Sequence, residues 1–212
     1  VIKNIPEPED DLPNHNQIEL QGPGETTFIQ VAYRSPKADS DDFFTFSLME
    51  SLLTGPSNLN MFGSGGVGHH TSRLYLAMVD EGLAAGVGGS LSANIDPSTF
   101  TLYLTKNPTR TIEEVLQTLD SQIEALQNQP ISQTEIDRAL KQTKALFAYS
   151  SDNITNQAFW MGYASSFARY DWFTHYVERI SSVTPEMIQS IAQKYLQPHA
   201  RVIGVYQPKD GN

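Results

Sequence analysis

Imidazole and thiolate are the usual ligands of a catalytic zinc, and this sequence offers five histidines and no cysteine. Two imidazoles at positions i and i+4 share one face of a helix. A glutamate beside one of them can then activate a metal-bound water. No pair here has that spacing. His15 sits in a proline-rich start, and His199 stands alone near a strand, where a surface position is expected. His175-Tyr176-Val177-Glu178-Arg179 supplies the first imidazole and the glutamate, but Arg179 stands where the second ligand is needed, and a cation there opposes a metal. His69 and His70 are adjacent, and neighbouring side chains point apart. They read as the polar lip of a loop, or as a rim touching a substrate. No metal site is expected in this chain.

Other chemistries are also excluded. With no cysteine there is no thiol nucleophile and no disulfide scaffold. Gly63-Ser64-Gly65 lacks the spacing of a serine nucleophile elbow. The loop Gly63-Ser64-Gly65-Gly66-Val67-Gly68 has no Lys-Ser/Thr behind it, so it is not a phosphate cradle. The aromatic run over 159–170 has few cations beside it and reads as core rather than as a base-stacking platform.

The elements that must position the remaining candidates centre on residues 72–87. Thr71 or Ser72 is expected to cap a helix carrying Arg73 and Tyr75, with Leu74, Met78 and Leu76 or Val79 as its apolar stripe. Gly82 suits the left-handed residue that ends a helix. From Leu83 the period falls to 2. Residues 83–94 read as a strand of small side chains, and 98–105 as its hairpin partner.

Around this unit the sequence spells an ordered series. Residues 1–13 have linker composition and are expected to join a missing upstream domain, so that 1–15 is a linker and 16–212 a single domain. The start at Val1, with no signal-like segment, reads as part of a longer polypeptide. Strands are expected at 16–20 and 25–33, then a buried helix opening on Asp39-Ser40-Asp41-Asp42. Thr111-Ile112-Glu113-Glu114 and Ser132-Gln133-Thr134-Glu135 read as capping boxes opening two amphipathic, antiparallel helices. Helical segments follow over 153–170 and 172–180, and a helix opens at Thr184-Pro185. A last strand over 201–206 must find a distant partner, expected at 25–33. Strands in hairpins with grouped helices give an α+β class, a mostly antiparallel sheet with helices packed on one face.

The chain of 212 residues is long enough for a sizeable core, and no apolar run approaches a membrane span. A formal charge of −10 argues against nucleic acid, since phosphate contacts need clustered Lys and Arg. The chain is expected to be soluble, and a cysteine-free chain suits the cytoplasm or the periplasm alike.

The string Ser72-Arg73-Leu74-Tyr75-Leu76-Ala77-Met78-Val79-Asp80-Glu81-Gly82-Leu83-Ala84 after a glycine-rich loop resembles the segment SRLxxxLRExxGLAY in the second half of the peptidase M16 family. That family groups insulinase, pitrilysin and the mitochondrial processing peptidase. Ile131, Ser132, Glu135 and Lys141 or Lys144 resemble its xISxxELxxAK segment. The resemblance implies one half of a clamshell, the C-terminal, non-metal-binding half. Zinc and H-x-x-E-H would then lie in an N-terminal M16 domain or a homologous catalytic subunit. In active members this half contributes an Arg and a Tyr that orient peptide carbonyls, but those positions fall here on Val79 and Ala85. The resemblance therefore implies a chain inactive by itself that walls the chamber of a zinc metalloendopeptidase and binds peptide substrate. Arg73, Tyr75, His69 and His70 are the candidate contacts. The alternatives are a non-catalytic scaffold subunit of the same fold and an unrelated α+β binding domain.

Overall fold

The structure is a computed structural model describing residues 16–56 and 69–209. The stretches 1–15 and 57–68, with His15 and the glycine-rich loop, lie outside the described residues. Five strands form one sheet: β1 (Gln17–Gly22), β2 (Phe28–Ser35), β3 (Ala84–Leu91), β4 (Ser98–Lys106) and β5 (Arg201–Pro208). Their order is β1-β5-β2-β4-β3. All pairings are antiparallel except β1 with β5. The sequence expectation of a mostly antiparallel sheet holds, and β5 does pair with β2 across the length of the chain. The parallel seat of β1 against the far side of β5 was not foreseen.

The period-2 pattern sorts the two faces. Ile29, Val31 and Tyr33 of β2 are buried, while Phe28, Gln30 and Arg34, in alternation with them, are exposed. Phe100, Leu102 and Leu104 continue the buried face on β4, and Ile203 and Val205 on β5. The helices cover that face. α1 (Asp41–Thr54) is buried from Phe43 to Thr54 and runs against β3. It comes close enough that a Cβ at Gly89 would lie 2.5 Å from Thr54 Oγ1, so only glycine fits there without displacement.

Around α1 stand α2 (Ile112–Asn128), α3 (Gln133–Ser150) and the later helices α4 (Ile154–Phe167), α5 (Asp171–Thr174), α6 (Tyr176–Ser181) and α7 (Pro185–Tyr195). Thr111 caps α2 with the reciprocal Glu114 bond, as its sequence requires. Thr184 caps α7 ahead of Pro185. No helix of the described residues is long and apolar enough to cross a membrane.

Polar ties lock helices to the sheet and to each other. Arg201, on β5, donates to both carboxylate oxygens of Asp120 on α2 and to Tyr33 Oη on β2. Those hydrogen bonds to Asp120 hold the guanidinium above its already high pKa, so the tie stays charged.

At the N-terminus of α1, Asp42 Oδ2 accepts from Lys194 Nζ at 2.6 Å and from Tyr195 Oη at 2.8 Å. Burial by itself would raise the Asp42 pKa, but the two donors and the Lys194 charge outweigh it and leave the carboxyl below its ordinary value. A carboxylate whose folded pKa is depressed stabilises the fold above the unfolded pKa, near 4. That contribution disappears as pH falls through the lower folded value. In urea unfolding, Asp42→Asn is expected to be less stable than the parent at about pH 6, with the gap narrowing steadily as pH falls below about 4. A gap that stays constant over that range would mean the carboxylate charge is not what stabilises.

Candidate functional site

The helix predicted to carry Arg73 and Tyr75 forms, but it is widened. Asp80 N–H reaches back five residues to Tyr75 O at 3.2 Å, giving a π turn over Tyr75–Val79. Such a turn inserts one residue into the ladder and rotates the side chains beyond it. Gly82 then takes the left-handed conformation at φ +66°, and β3 begins at Ala84. The expected cap is not made. Ser72 Oγ is buried without a partner among the described residues, and Thr71 Oγ1 instead accepts from Gln142 Nε2 on α3 at 3.2 Å.

Arg73 is occupied. Its Nε donates to Glu135 Oε1 at 2.5 Å and its Nη2 to Glu135 Oε2 at 2.9 Å. The side chains are 16% and 17% exposed, so the planar fork is largely out of water. This also corrects the second capping box. Ser132 Oγ does accept from Glu135 N–H, but the Glu135 carboxylate has turned away from the helix end to meet Arg73. Both partners had been read in the sequence, each for another purpose, and nothing local signals a pairing across 62 positions.

Tyr75 is half-buried, and its ring meets the exposed His70 ring edge-to-face with centroids 4.5 Å apart. His69 lies in the short 3-10 turn His69–Thr71 just ahead. The structure thus brings His70, Tyr75 and Arg73 onto one segment, with Arg73 and Thr71 fastening it to α3. Val79 is half-buried and Ala85 exposed, and neither side chain has a hydrogen to donate to a developing oxyanion.

His175 and His199 have local roles. His175 Nδ1 lies 2.9 Å from Asp171 O. Arg179, at the would-be ligand position, covers the Phe44 ring at 4.7 Å and reaches Asp41 at 3.7 Å, pinning α6 to α1. His199 is exposed in the turn Pro198–Ala200, where its carbonyl accepts from Asn16 Nδ2. Among the described residues no group of three or more His, Asp or Glu side chains could hold a metal ion.

Among the described residues the outermost strands of the sheet are β1 and β3. On β3 the side chains are Ala84, Ala85, Gly86, Val87, Gly88, Gly89, Ser90 and Leu91. No lysine or proline guards it, unlike most edge strands. Among the described residues no strand pairs with its outer side, so an incoming backbone could reach it over residues 84–90.

Residues 2–143 match the family described as the peptidase M16 inactive domain. No curated protein matches. Among solved structures, the fold is similar to a protease from Helicobacter pylori, with TM-score 0.79 at 17% identity over 98% of this chain and 48% of that one. It is similar to a peptidase M16 inactive domain from Pseudomonas fluorescens, with TM-score 0.74 at 19% identity over 92% of this chain and 44% of that one. It is also similar to the inactive peptidase domain of a candidate zinc protease from Bordetella parapertussis, with TM-score 0.73 at 24% identity over 91% of this chain and 96% of that one. The chain spans about half the length of the first two and nearly all of the third. The matched residues run through the widened helix, the Gly82 turn and the Arg73–Glu135 seam, and this chain belongs to the peptidase M16 inactive-domain family.

Proposed function

We propose that this chain is the C-terminal, metal-free half of an M16-type zinc metallopeptidase. It walls a peptide chamber whose zinc is held by an N-terminal domain or a homologous catalytic subunit. Residues 16–212 make up this one domain, and 1–15 join it to its neighbour. The observation that carries the reading is that β3, following directly on the Gly82 turn, has no strand on its outer side among the described residues. A peptide in extended form would add to it as a strand, main chain to main chain, with little demand on its sequence. The uncovered face of the sheet, with Phe28 and Tyr103 exposed on it, would form the wall. His70 and Tyr75 would contribute at the rim, with His69 beside them, while Arg73 holds that rim through Glu135. The spans of about half in the longer relatives fit a second half elsewhere.

The test is peptide cleavage by the chain alone and by the chain joined to its H-x-x-E-H-bearing half, with and without a zinc chelator. Cleavage is expected only in the joined form, abolished by chelator, with no stoichiometric zinc on this chain alone. Activity or zinc in the isolated chain would overturn the assignment. A Cβ at Gly88 would meet nothing within 4 Å, so Gly88→Lys leaves the fold intact while placing a charge on the edge strand. It is expected to raise KM about three- to tenfold, the size of one or two weakened hydrogen bonds, with kcat little changed.

One observation favours a second reading, a scaffold subunit that binds no substrate. Val79 and Ala85 stand where a peptide-orienting Arg and Tyr would be. An unchanged KM in Gly88→Lys would favour it.

A further inference from the structure

On the side of the sheet that faces away from the helices, strand pairing aligns outward residues in rows. One row holds Leu20, Tyr206, Phe28 and Thr105, and the next Ile18, Gly204, Gln30 and Tyr103. Ile18, Leu20, Phe28 and Tyr103 are between 44% and 61% exposed. Of the described outward positions on β1, β5, β2 and β4, Arg34 alone carries a charge, and it stands at the far end of β2 opposite Thr99. The face is therefore apolar over most of its width.

Two residues of β5 give this surface its shape. The Tyr206 ring is held in place, its Oη donating to Pro23 O at 2.7 Å and the ring tilted against Phe28 with centroids 6.5 Å apart. It lies over Gly22, where a Cβ would clash with it. Gly204, two residues earlier, is under no such demand. A Cβ there would meet nothing within 4 Å, and its φ is not positive. Glycine inside a strand weakens it and often marks the close approach of a ligand or another backbone. Here it leaves a recess between Ile18 and Gln30, with Val202 and Tyr206 on either side along the strand.

Charge decides what can cover such a face. A charged side chain laid on it would lose hydration and find no counter-charge, whereas apolar surface would gain by leaving water. A second copy is opposed by the formal charge of −10 on each chain. We infer that this face binds an uncharged, apolar stretch of extended peptide, with one bulky aliphatic or aromatic side chain seated in the Gly204 recess beside Tyr206. The inference rests on the reading of this sheet as a chamber wall, and it gives the substrate class as peptides with alternating apolar residues. β4 and β2 separate β5 from β3, so the recess is apart from main-chain pairing at the β3 edge.

The methyl groups of Ile18 and Leu20 report on the site in 13C-methyl-labelled protein, with Ile18→Val and Leu20→Val assigning the resonances. The probes are three peptides of about eight residues, long enough at ~3.3 Å per residue to cross five strands ~4.8 Å apart. They carry Leu and Phe, or Glu, or Lys at alternate positions, with Ser between. The Leu/Phe peptide is expected to move both methyl resonances saturably and to bind about tenfold more tightly than either charged peptide, the effect of one partly buried apolar side chain. Gly204→Glu, which fills the recess with a charge, and Phe28→Gln, which removes a ring beside it, should each weaken that binding about three- to tenfold in protein whose circular dichroism is unchanged. Should Gly204→Glu not fold, Phe28→Gln carries the comparison. Equal binding of the three peptides, tightest binding of the Lys peptide as net charge alone would give, or undiminished binding in the folded variants would overturn the inference. So would a parent chain that is dimeric by light scattering and monomeric as Gly204→Glu, since a second copy would then be the occupant. Unmoved Ile18 and Leu20 resonances together with chelator-sensitive cleavage in the joined form would reject the apolar site and keep the chamber. The reverse pattern would reject the chamber and keep the site.

Discussion

Trp172→Ala is expected to destabilise the domain by about 4 kcal/mol, the range for emptying a large aromatic site in a core. Trp172 is 5% exposed and touches four rings: Phe43, Phe44, Phe167 and Tyr176, at centroid distances of 5.7, 5.6, 5.1 and 5.4 Å. Those rings come from α1, α4 and α6, so one side chain joins three helices. Truncation removes the dispersion contacts, leaves a void the rigid neighbours cannot fill, and strips the Ala38 carbonyl of its donor. For a chain of this size the loss corresponds to a Tm about 8–16 °C lower. Trp172→Phe keeps much of the packing but not the N–H, and should cost about half as much. Thermal unfolding of the two variants checks the ordering. Equal losses would mean the packing that phenylalanine keeps contributes nothing, and an unchanged Trp172→Phe would mean the same of the hydrogen bond to Ala38.

Arg73→Ala should cost about 3 kcal/mol, the lower end for breaking a buried ion pair, because both side chains keep some contact with water. The loss comes mainly from stranding the Glu135 carboxylate, which has given up the end of α3 for this partner. Three comparisons follow. Arg73→Lys keeps the charge but not the planar two-point fit, and should lose about 1 kcal/mol. The double variant Arg73→Met with Glu135→Leu removes both charges and should recover most of the stability. A double-mutant cycle in urea therefore returns a favourable coupling between the two positions. Were Arg73 held for a peptide instead, Arg73→Ala would raise KM in the joined enzyme while leaving the unfolding midpoint of this domain unchanged.

The two variants differ in how much of their environment could be read before the fold was known. The aromatic run containing Trp160 and Phe167 reads as core from composition alone, because so much ring area can be stabilised only by burial. The capping box of α2, the Thr184-Pro185 start and the Gly82 stop are equally local. Each is decided by a side chain and the backbone groups within four residues of it. The candidate contacts are not local. The contact of His70 with Tyr75 was not read from the sequence, and the role of Arg73 depends on a carboxylate that the sequence pattern assigned to a cap. The π turn is invisible to a 3.6-residue reading, since Leu74 and Met78 keep helical spacing whether or not one extra residue enters the ladder between them and Gly82.

What the order of residues determined by itself is the set of elements, the buried faces of the strands, the α+β class and the absence of a paired-histidine zinc motif. Periodicity, caps and ligand spacing are properties of near neighbours on the chain, and they suffice for these. Tertiary structure decided that β1 lies parallel to β5, that Glu135 closes on Arg73, and that β3 lies outermost in the sheet of the described residues. Each of these depends on which surfaces meet when distant segments exclude water together, a choice made by shape and burial over the whole domain.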